Sequence, residues 1–288
     1  MRPDAMNTII TTIPVPYLCV ITAAEIEFKA VAHWLDERIF SETAGLKQCR
    51  GRAGRNLITV LQSEVGAPDF TQKLTAHLTE TKYDALLIIG LAGALTPDLK
   101  TGEVVLYDTC FAFRPEFGPV EETDERSEDR TPSVCDFQVS SSLRQLLLAD
   151  GLECMFGAGL TLDFMVTSAD EKLSMGESYG AAAVDMESYD VIQVGTQLGI
   201  PVVVLRVILD EAQQKTPDFN MALDASGQMS PTKSLLAMLL RPLAAIKFLF
   251  SLRSAMKTLR RAANLALKAE PKLIRPARSL ILAQKMSA

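Results

Sequence analysis

Between Ala183 and Asp210 the chain sets two carboxylates at the ends of two apolar segments separated by one helix. Ala183-Val184-Asp185-Met186-Glu187-Ser188 leads into Tyr189 to Leu198, Gly199 stops the helix, and Ile200-Pro201-Val202-Val203-Val204-Leu205-Arg206-Val207-Ile208-Leu209 ends on Asp210. The β-branched run is too short and too apolar for a surface helix and reads as a strand buried on both faces. Ligands of open α/β sheets bind outside the carboxyl ends of strands, which makes Glu187 and Asp210 candidates for one shared cleft. Two carboxyls in different surroundings can divide acid and base work between them. An acid at a strand end also serves as a helix cap or an ion-pair partner, and Asp185 and Glu187 can both be solvated. Only His33 and His77 are available, neither beside a recognisable partner. Histidine catalysis and a zinc site are poorly supported, and no cofactor or metal is expected.

The elements that must position these acids alternate along the chain. Strands are predicted over Tyr17 to Thr22, Ala85 to Ile89, Glu103 to Asp108 and Ala158 to Val166. Helices are predicted over Glu25 to Glu37, Asp69 to Thr81, Ser141 to Ala149 and Glu171 to Tyr179. Leu46 to Arg50 and Asn56 to Gln62 flank a hairpin turn at Gly51-Arg52-Ala53-Gly54. Arg114 to Val134, rich in Glu, Asp, Arg and Pro, reads as a loop and a possible lid. This βα alternation predicts an α/β fold, a three-layer αβα sandwich around a mixed, mostly parallel sheet.

The chain has 288 residues, 48% hydrophobic and 22% charged, which suits one large domain with a sizeable core and an appendage. The expected division is a disordered extension over 1–16, a catalytic domain over 17–230 and a helical tail over 231–288. Five scattered cysteines with no Cys-x-x-Cys pair argue against a disulfide framework and for the reducing cytoplasm. Residues 1–16 contain no apolar stretch long enough for a secretory signal. Gly90 and Gly93 do not complete a dinucleotide-binding Gly-x-Gly-x-x-Gly, so a nicotinamide enzyme is rejected.

The chain resembles the nucleoside phosphorylase and nucleosidase superfamily, closest in pattern to the methylthioadenosine and S-adenosylhomocysteine nucleosidases. Val184-Asp185-Met186-Glu187 matches the family's Val-Glu-Met-Glu segment, and Arg206-Val207-Ile208-Leu209-Asp210 matches its Arg-x-x-Ser-Asp segment. Tyr17 to Thr22 followed by Ala23-Ala24-Glu25-Ile26-Glu27 resembles the first strand and acidic helix start. Gly90-Leu91-Ala92-Gly93-Ala94-Leu95 resembles the glycine turn. The resemblance implies cleavage of the N-glycosidic bond of a purine nucleoside. Asp210 would protonate the departing base at N7, and burial beside Ile208 and Leu209 would raise its pKa. It further implies that Glu187 holds the ribose hydroxyls, Met186 packs under the sugar, Ala92 and Gly93 line the substrate site, and Glu27 orients a water. Family members are dimers or larger, so a homo-oligomer is implied as well.

Some positions depart from the family. Leu209 stands where the family has Ser, and Leu91 where many members have Ser. Ala23, Ala24, Ile88 and Ile89 occupy the neighbourhood where phosphorylases place phosphate-clamping arginines. No dedicated phosphate site is evident, although phosphate stays open as a co-substrate. Thr167-Ser168-Ala169-Asp170, where the base-binding loop is expected, lacks the aromatic residue of the nucleosidases.

Residues 231–288 carry twelve Lys and Arg against one acid, Glu270, which leaves −17 on the first 230 residues of a chain whose net charge is −6. Arg253, Lys257, Arg260, Arg261 and Lys268 share one helical face, opposite Phe248, Leu252, Ala255, Met256, Leu259, Ala263 and Ala266. Such a helix either lies in a membrane interface through residues 241–268, at the inner face of the membrane, or packs on the chain's own acidic body or a second subunit. The tail lacks interleaved aromatics, so no nucleic-acid partner is expected. The glycine turn, the Val184-Asp185-Met186-Glu187-Ser188 wording and the tail after Arg241-Pro242 resemble the hopanoid-associated phosphorylases, which remove adenine from adenosylhopane. Two alternatives stand beside that substrate: a soluble methylthioadenosine nucleosidase, and a non-catalytic, membrane-associated nucleoside-binding protein.

Overall fold

A computed structural model describes residues 15–63, 69–113, 131–214 and 239–270, together with residues 216, 217, 220, 233 and 236. The expected extension (nearly all of 1–16), most of the polar loop 114–134 and the end of the tail lie outside the described residues. In chain order the elements are β1 (Tyr17–Thr22), α1 (Glu25–Ala32), β2 (Asp36–Thr43), β3 (Leu46–Ala53), β4 (Asn56–Gln62), α2 (Phe70–Glu80), β5 (Ala85–Ala94) and β6 (Val104–Ala112). After these come β7 (Ser133–Val134), α3 (Phe137–Ala149), β8 (Cys154–Thr161), α4 (Ala169–Tyr179), β9 (Ala181–Asp185), α5 (Ser188–Gln197), β10 (Val202–Asp210) and α6 (Pro242–Leu267).

The Val202–Ile208 run is buried without a break, as its composition requires of a central strand. Gly199 ends the preceding helix with a left-handed φ of 65°, a conformation that costs a residue with a Cβ more than glycine. β1 lies between β4 and β5 with both pairings parallel, and β10 runs parallel to the other side of β5. Antiparallel pairings join the β2–β3–β4 hairpins, and β6 to β10. The sheet is therefore mixed. Beyond β10 it curls through β6, β8 and β9 until β9 pairs with the far end of β5, through Gly93 with Val184 and Ala94 with Ala183. That closure brings the carboxyl ends of β5, β9 and β10 together.

Helices cover both faces. Phe28 and Val31 of α1, Val139, Leu143 and Leu147 of α3, and Ala255, Leu259 and Ala263 of α6 share one core against the sheet. Phe70, Leu74 and Leu78 of α2 with Val191 and Ile192 of α5 fill the other. This is the three-layer αβα arrangement.

Several boundaries depart from the sequence reading, among them the turn read at 51–54, most of which lies inside β3. The first helix stops at Ala32 rather than Glu37, and Asp36–Thr43 forms β2, whose eight residues are all exposed. A strand solvated on both faces shows no apolar alternation to reveal it. The glycine turn at 90–93 lies inside β5, which continues to Ala94. The segment read as a strand over 158–166 is β8, starting at Cys154 and ending at Thr161. All five cysteines are free and buried.

The basic helix takes the second of the two places open to it along its C-terminal half, which packs on the chain's own body. Ala255, Met256, Leu259, Ala262, Ala263, Ala266 and Leu267 are buried. Asn56, itself buried, donates its Nδ2 to the carbonyls of Leu267 at 2.8 Å and Ala269 at 2.9 Å, satisfying acceptors that a helix C-terminus leaves open. Arg261 pairs with Asp150 after α3. We expect Asn56→Ala to cost about 1–3 kcal/mol of unfolding free energy, measured by urea denaturation. Faster amide exchange over residues 262–269 should accompany the loss.

Candidate active site

The register of β5 on β10 sets the site. Gly90 lies beside Arg206, and Gly93 beside Asp210. A Cβ at Gly90 would stand 2.4 Å from Arg206 Nη1 and 3.0 Å from Glu27 Oε1, so only glycine lets the guanidinium and that carboxylate meet over the strand. The register shifts between Ile208 and Asp210, and both Leu209 and Asp210 line the same cavity, as a bulge at a strand end allows.

Arg206 is 1% exposed. Its Nε donates to Asp185 Oδ2 at 3.0 Å, and its Nη2 donates to Glu187 Oε2 at 3.3 Å and Ser188 Oγ at 3.0 Å. Asp185, at the end of β9, is locked further. Its Oδ1 accepts from Thr161 Oγ1 at 2.8 Å and from the backbone amides of Glu187 at 3.1 Å and Ser188 at 3.0 Å. Glu27, in the first turn of α1, accepts from the amides of Ala23 and Ala24 at 3.0 Å each and from that of Leu91 at 2.7 Å.

Two carboxyls therefore pair with one guanidinium and a third, Glu27, lies within its field, and their ionisation differs. Burial pushes Glu187 up to about 8; Arg206 opposes the rise, while Asp185 and Glu27 add to it. Burial also raises Glu27, against Arg206 and its three amide donors. Asp185 goes the other way. Burial disfavours its charge, but Arg206, Ser188 and Thr161 outweigh that and hold it below the usual carboxylate range. Asp185 is thus the permanent counter-ion of Arg206, and burial favours the protonated form of Glu187. An ionised carboxylate accepts best from ribose hydroxyls, so ionisation of Glu187 must follow from binding or from higher pH.

Asp210 has a separate partner. Lys172, in the first turn of α4 and 1% exposed, pairs with its Oδ2. The same ammonium donates to the carbonyls of Gln214 at 3.2 Å and Glu211 at 3.4 Å, which together with Asp210 accounts for its three hydrogens. A cation in the first turn opposes the helix dipole, so this lysine is held there by its carboxylate and carbonyl partners. Burial raises the pKa of Asp210 and Lys172 restrains the rise. The direction agrees with the sequence reading, although the lysine was not foreseen.

Glu27, Ala92, Gly93, Met186, Glu187 and Asp210 all line one cavity of about 330 Å³. Its remaining wall is largely apolar and includes Ile26, Phe164, Val166 and, from α6, Phe248 and Leu252. That size and mixture suit a small organic ligand held by a few polar groups. No aromatic residue stands at 167–170, but Phe164, three residues earlier, lines the cavity and stands edge-on to Phe113 with ring centroids 6.3 Å apart. Sequence reasoning assigned no role to Arg206, Lys172, Phe164, Phe248 or Leu252. Arg206 carried a usable signal, a charge inside an apolar strand; Lys172, in a polar helix start, carried none.

The family model of the phosphorylase superfamily matches residues 17–239. The chain belongs to that superfamily. It is 25% identical over 209 residues to a 5'-methylthioadenosine/S-adenosylhomocysteine nucleosidase of an Exiguobacterium species, covering 68% of this chain and 85% of that protein. The same enzyme of Geobacillus thermodenitrificans is 25% identical over 220 residues, covering 73% and 91%. Among solved structures, futalosine hydrolase of Helicobacter pylori superposes with a TM-score of 0.68 at 18% identity, over 89% of this chain and 99% of that one. The S-adenosylhomocysteine nucleosidase of Streptococcus pyogenes, in complex with 5-methylthiotubericidin, gives 0.68 at 21%, over 90% and 99%. These likenesses carry the fold.

The raised pKa of Glu187 has a sign that stability reports. The fold binds its proton more tightly than the unfolded chain does, so its contribution is complete below the ordinary value of 4.5 and is lost as pH rises through about 8. We expect the contribution of Glu187 to unfolding midpoints to fall as pH rises from about 4.5 to about 8 and to level off above that. Glu187→Gln should flatten the fall, checked by urea titrations at a series of pH values.

Proposed function

We propose that the protein cleaves the N-glycosidic bond of a purine nucleoside carrying an apolar 5' substituent, with water as the nucleophile. The observation that carries this reading is the pairing of two proton-handling groups across one cavity, Lys172–Asp210 on one side and the Arg206-linked carboxyls on the other.

As the bond from the anomeric carbon to the base lengthens, its electron pair moves to the base and positive charge grows on the sugar. Asp210, made more basic by burial, gives its proton to the base at N7. The carboxylate left behind then faces the Lys172 ammonium, which stabilises it without a solvent shell. On binding, Glu187 releases its proton to solvent and accepts hydrogen bonds from the ribose hydroxyls, so that its attraction for the sugar strengthens as the sugar turns cationic. Met186 packs against the sugar. Glu27, a stronger base than a solvated carboxylate because it is buried, orients the water and takes a proton as the oxygen bonds to the anomeric carbon. Ala92 and Gly93 leave room beside Asp210, and Phe164 offers an aromatic face for the base.

Water is favoured over phosphate by charge. The cations lining the cavity are Lys172 and Arg206, and both are already paired with carboxylates. A phosphate dianion would enter beside the ionised Asp185 and, among the described residues lining the cavity, would meet no cation free of a carboxyl partner. The apolar 5' group is favoured by Ile26, Phe248 and Leu252, which give the cavity a hydrocarbon wall. A triterpenoid nucleoside such as adenosylhopane has that chemistry.

Asp210→Asn should lower kcat for adenine release about 10²–10⁴-fold while a non-hydrolysable analogue still binds within a few-fold. Loss of both in parallel would make Asp210 a structural residue and overturn its role as acid. Lys172→Met, which removes the restraint on Asp210, should move the alkaline limb of the kcat profile to higher pH and lower kcat about 10–100-fold, as loss of a charge-assisted hydrogen bond does.

A further inference from the structure

The N-terminal half of α6 has one face that the fold leaves uncovered. Leu243 is 80% exposed, Ile246 53% and Phe250 73%, and Leu239 and Leu240, just before the helix, are about two-thirds exposed. Positions 243, 246 and 250 fall on one helical stripe. Lys247 and Lys257 share that stripe and Arg253 borders it; all three are exposed and none pairs with an acid among the described residues. The helix contains no acidic residue. On its other side, Phe248 and Leu252 line the cavity.

We infer that this face of α6 docks on an anionic lipid surface, with Leu243, Ile246 and Phe250 entering the headgroup boundary and Lys247, Arg253 and Lys257 meeting lipid phosphates. Hydrocarbon interleaved with unpaired cations, and no acid, is the pattern of an interfacial helix. The helix does not cross the membrane, since no helix among the described residues is long and apolar enough. A second copy is a poorer occupant. Two-fold pairing of this face would set its cations against themselves. The chain's own residues 271–288 are poorer still, because they carry Lys272, Arg275, Arg278 and Lys285 and no acid. The lipid surface is argued from exposure and charge, and stands whether or not the substrate is itself a lipid. If it is, the helix that touches the membrane is also the helix that walls the cavity, and the substrate's hydrocarbon need not pass through water.

The test is flotation of the full chain with vesicles of phosphatidylcholine alone and of phosphatidylcholine with phosphatidylglycerol, at low and high salt. Binding is expected to the anionic vesicles only, weakening with salt. Replacing Lys247, Arg253 and Lys257 together by Gln should weaken it about 100-fold, at about 1 kcal/mol for each charge. Phe250→Glu should weaken it at least 10-fold and leave the thermal midpoint and the hydrolysis of a soluble nucleoside unchanged. Equal binding to both vesicle types, no binding to either, or binding that both variants retain would overturn the proposal. So would a dimer in sedimentation that Phe250→Glu splits while vesicle binding persists.

Discussion

A guanidinium buried in the centre of a sheet must be met by carboxylates, and Arg206 imposes that demand on four parts of the chain at once. Its charge cannot be discharged, and leaving it unpaired would cost several kcal/mol. The end of β9 answers with Asp185, the start of α5 with Glu187 and Ser188, and the start of α1 approaches with Glu27. Strand β5 answers with the absence of a side chain at Gly90. Three acids surround one base, and burial works against ionising all three carboxyls together. Asp185 keeps its charge, and Glu187 favours its protonated form. The electrostatic surplus is stored where a substrate's hydroxyls can use it.

Lys172 and Asp210 form a second, independent arrangement with the opposite logic. One ammonium and one carboxyl, both removed from water, balance each other, and the surrounding carbonyls of Glu211 and Gln214 take the ammonium's remaining hydrogens. A proton can leave Asp210 without stranding a charge. Leu209 stands where the family has Ser, and the polar partner that Asp210 has instead is Lys172, a cation from a different helix. The tail contributes in the same manner, from a distance in sequence: α6 buries its C-terminal half on the body and offers Phe248 and Leu252 to the cavity.

The parts of the fold that were legible in the sequence are those where burial leaves a mark on residue type. Val202 to Ile208 reads as a central strand because nothing else in solution tolerates so many β-branched side chains, and Asp210 at its end is conspicuous for the same reason. Glu187 followed from its spacing to that strand, and Glu27 only from a family pattern. β2 was not legible, since a strand exposed on both faces carries no alternation. Lys172 was hidden among Asp170, Glu171 and Glu177 on a helix that looks solvated. Only the tertiary path of α4 turns one of its charged residues inward. The helical wheel of α6 named its apolar face correctly along 255–266 but held no information on whether protein or lipid would cover it, and the two halves of the helix differ in just that respect.

The central claim is that water, admitted beside Glu27, displaces adenine from a nucleoside whose 5' end is apolar. The most direct measurement follows adenine and reducing sugar released from methylthioadenosine and from an adenosine bearing a long 5' hydrocarbon chain, in detergent, with and without phosphate. Release of both products at equal rates in phosphate-free and phosphate buffers, with a higher kcat/KM for the hydrocarbon-bearing substrate, is the expected result. An absolute requirement for phosphate, with a sugar phosphate as product, would contradict the assignment of water. A preference for methylthioadenosine would contradict the apolar 5' group. Release of adenine from neither would remove the enzymatic reading of the cavity.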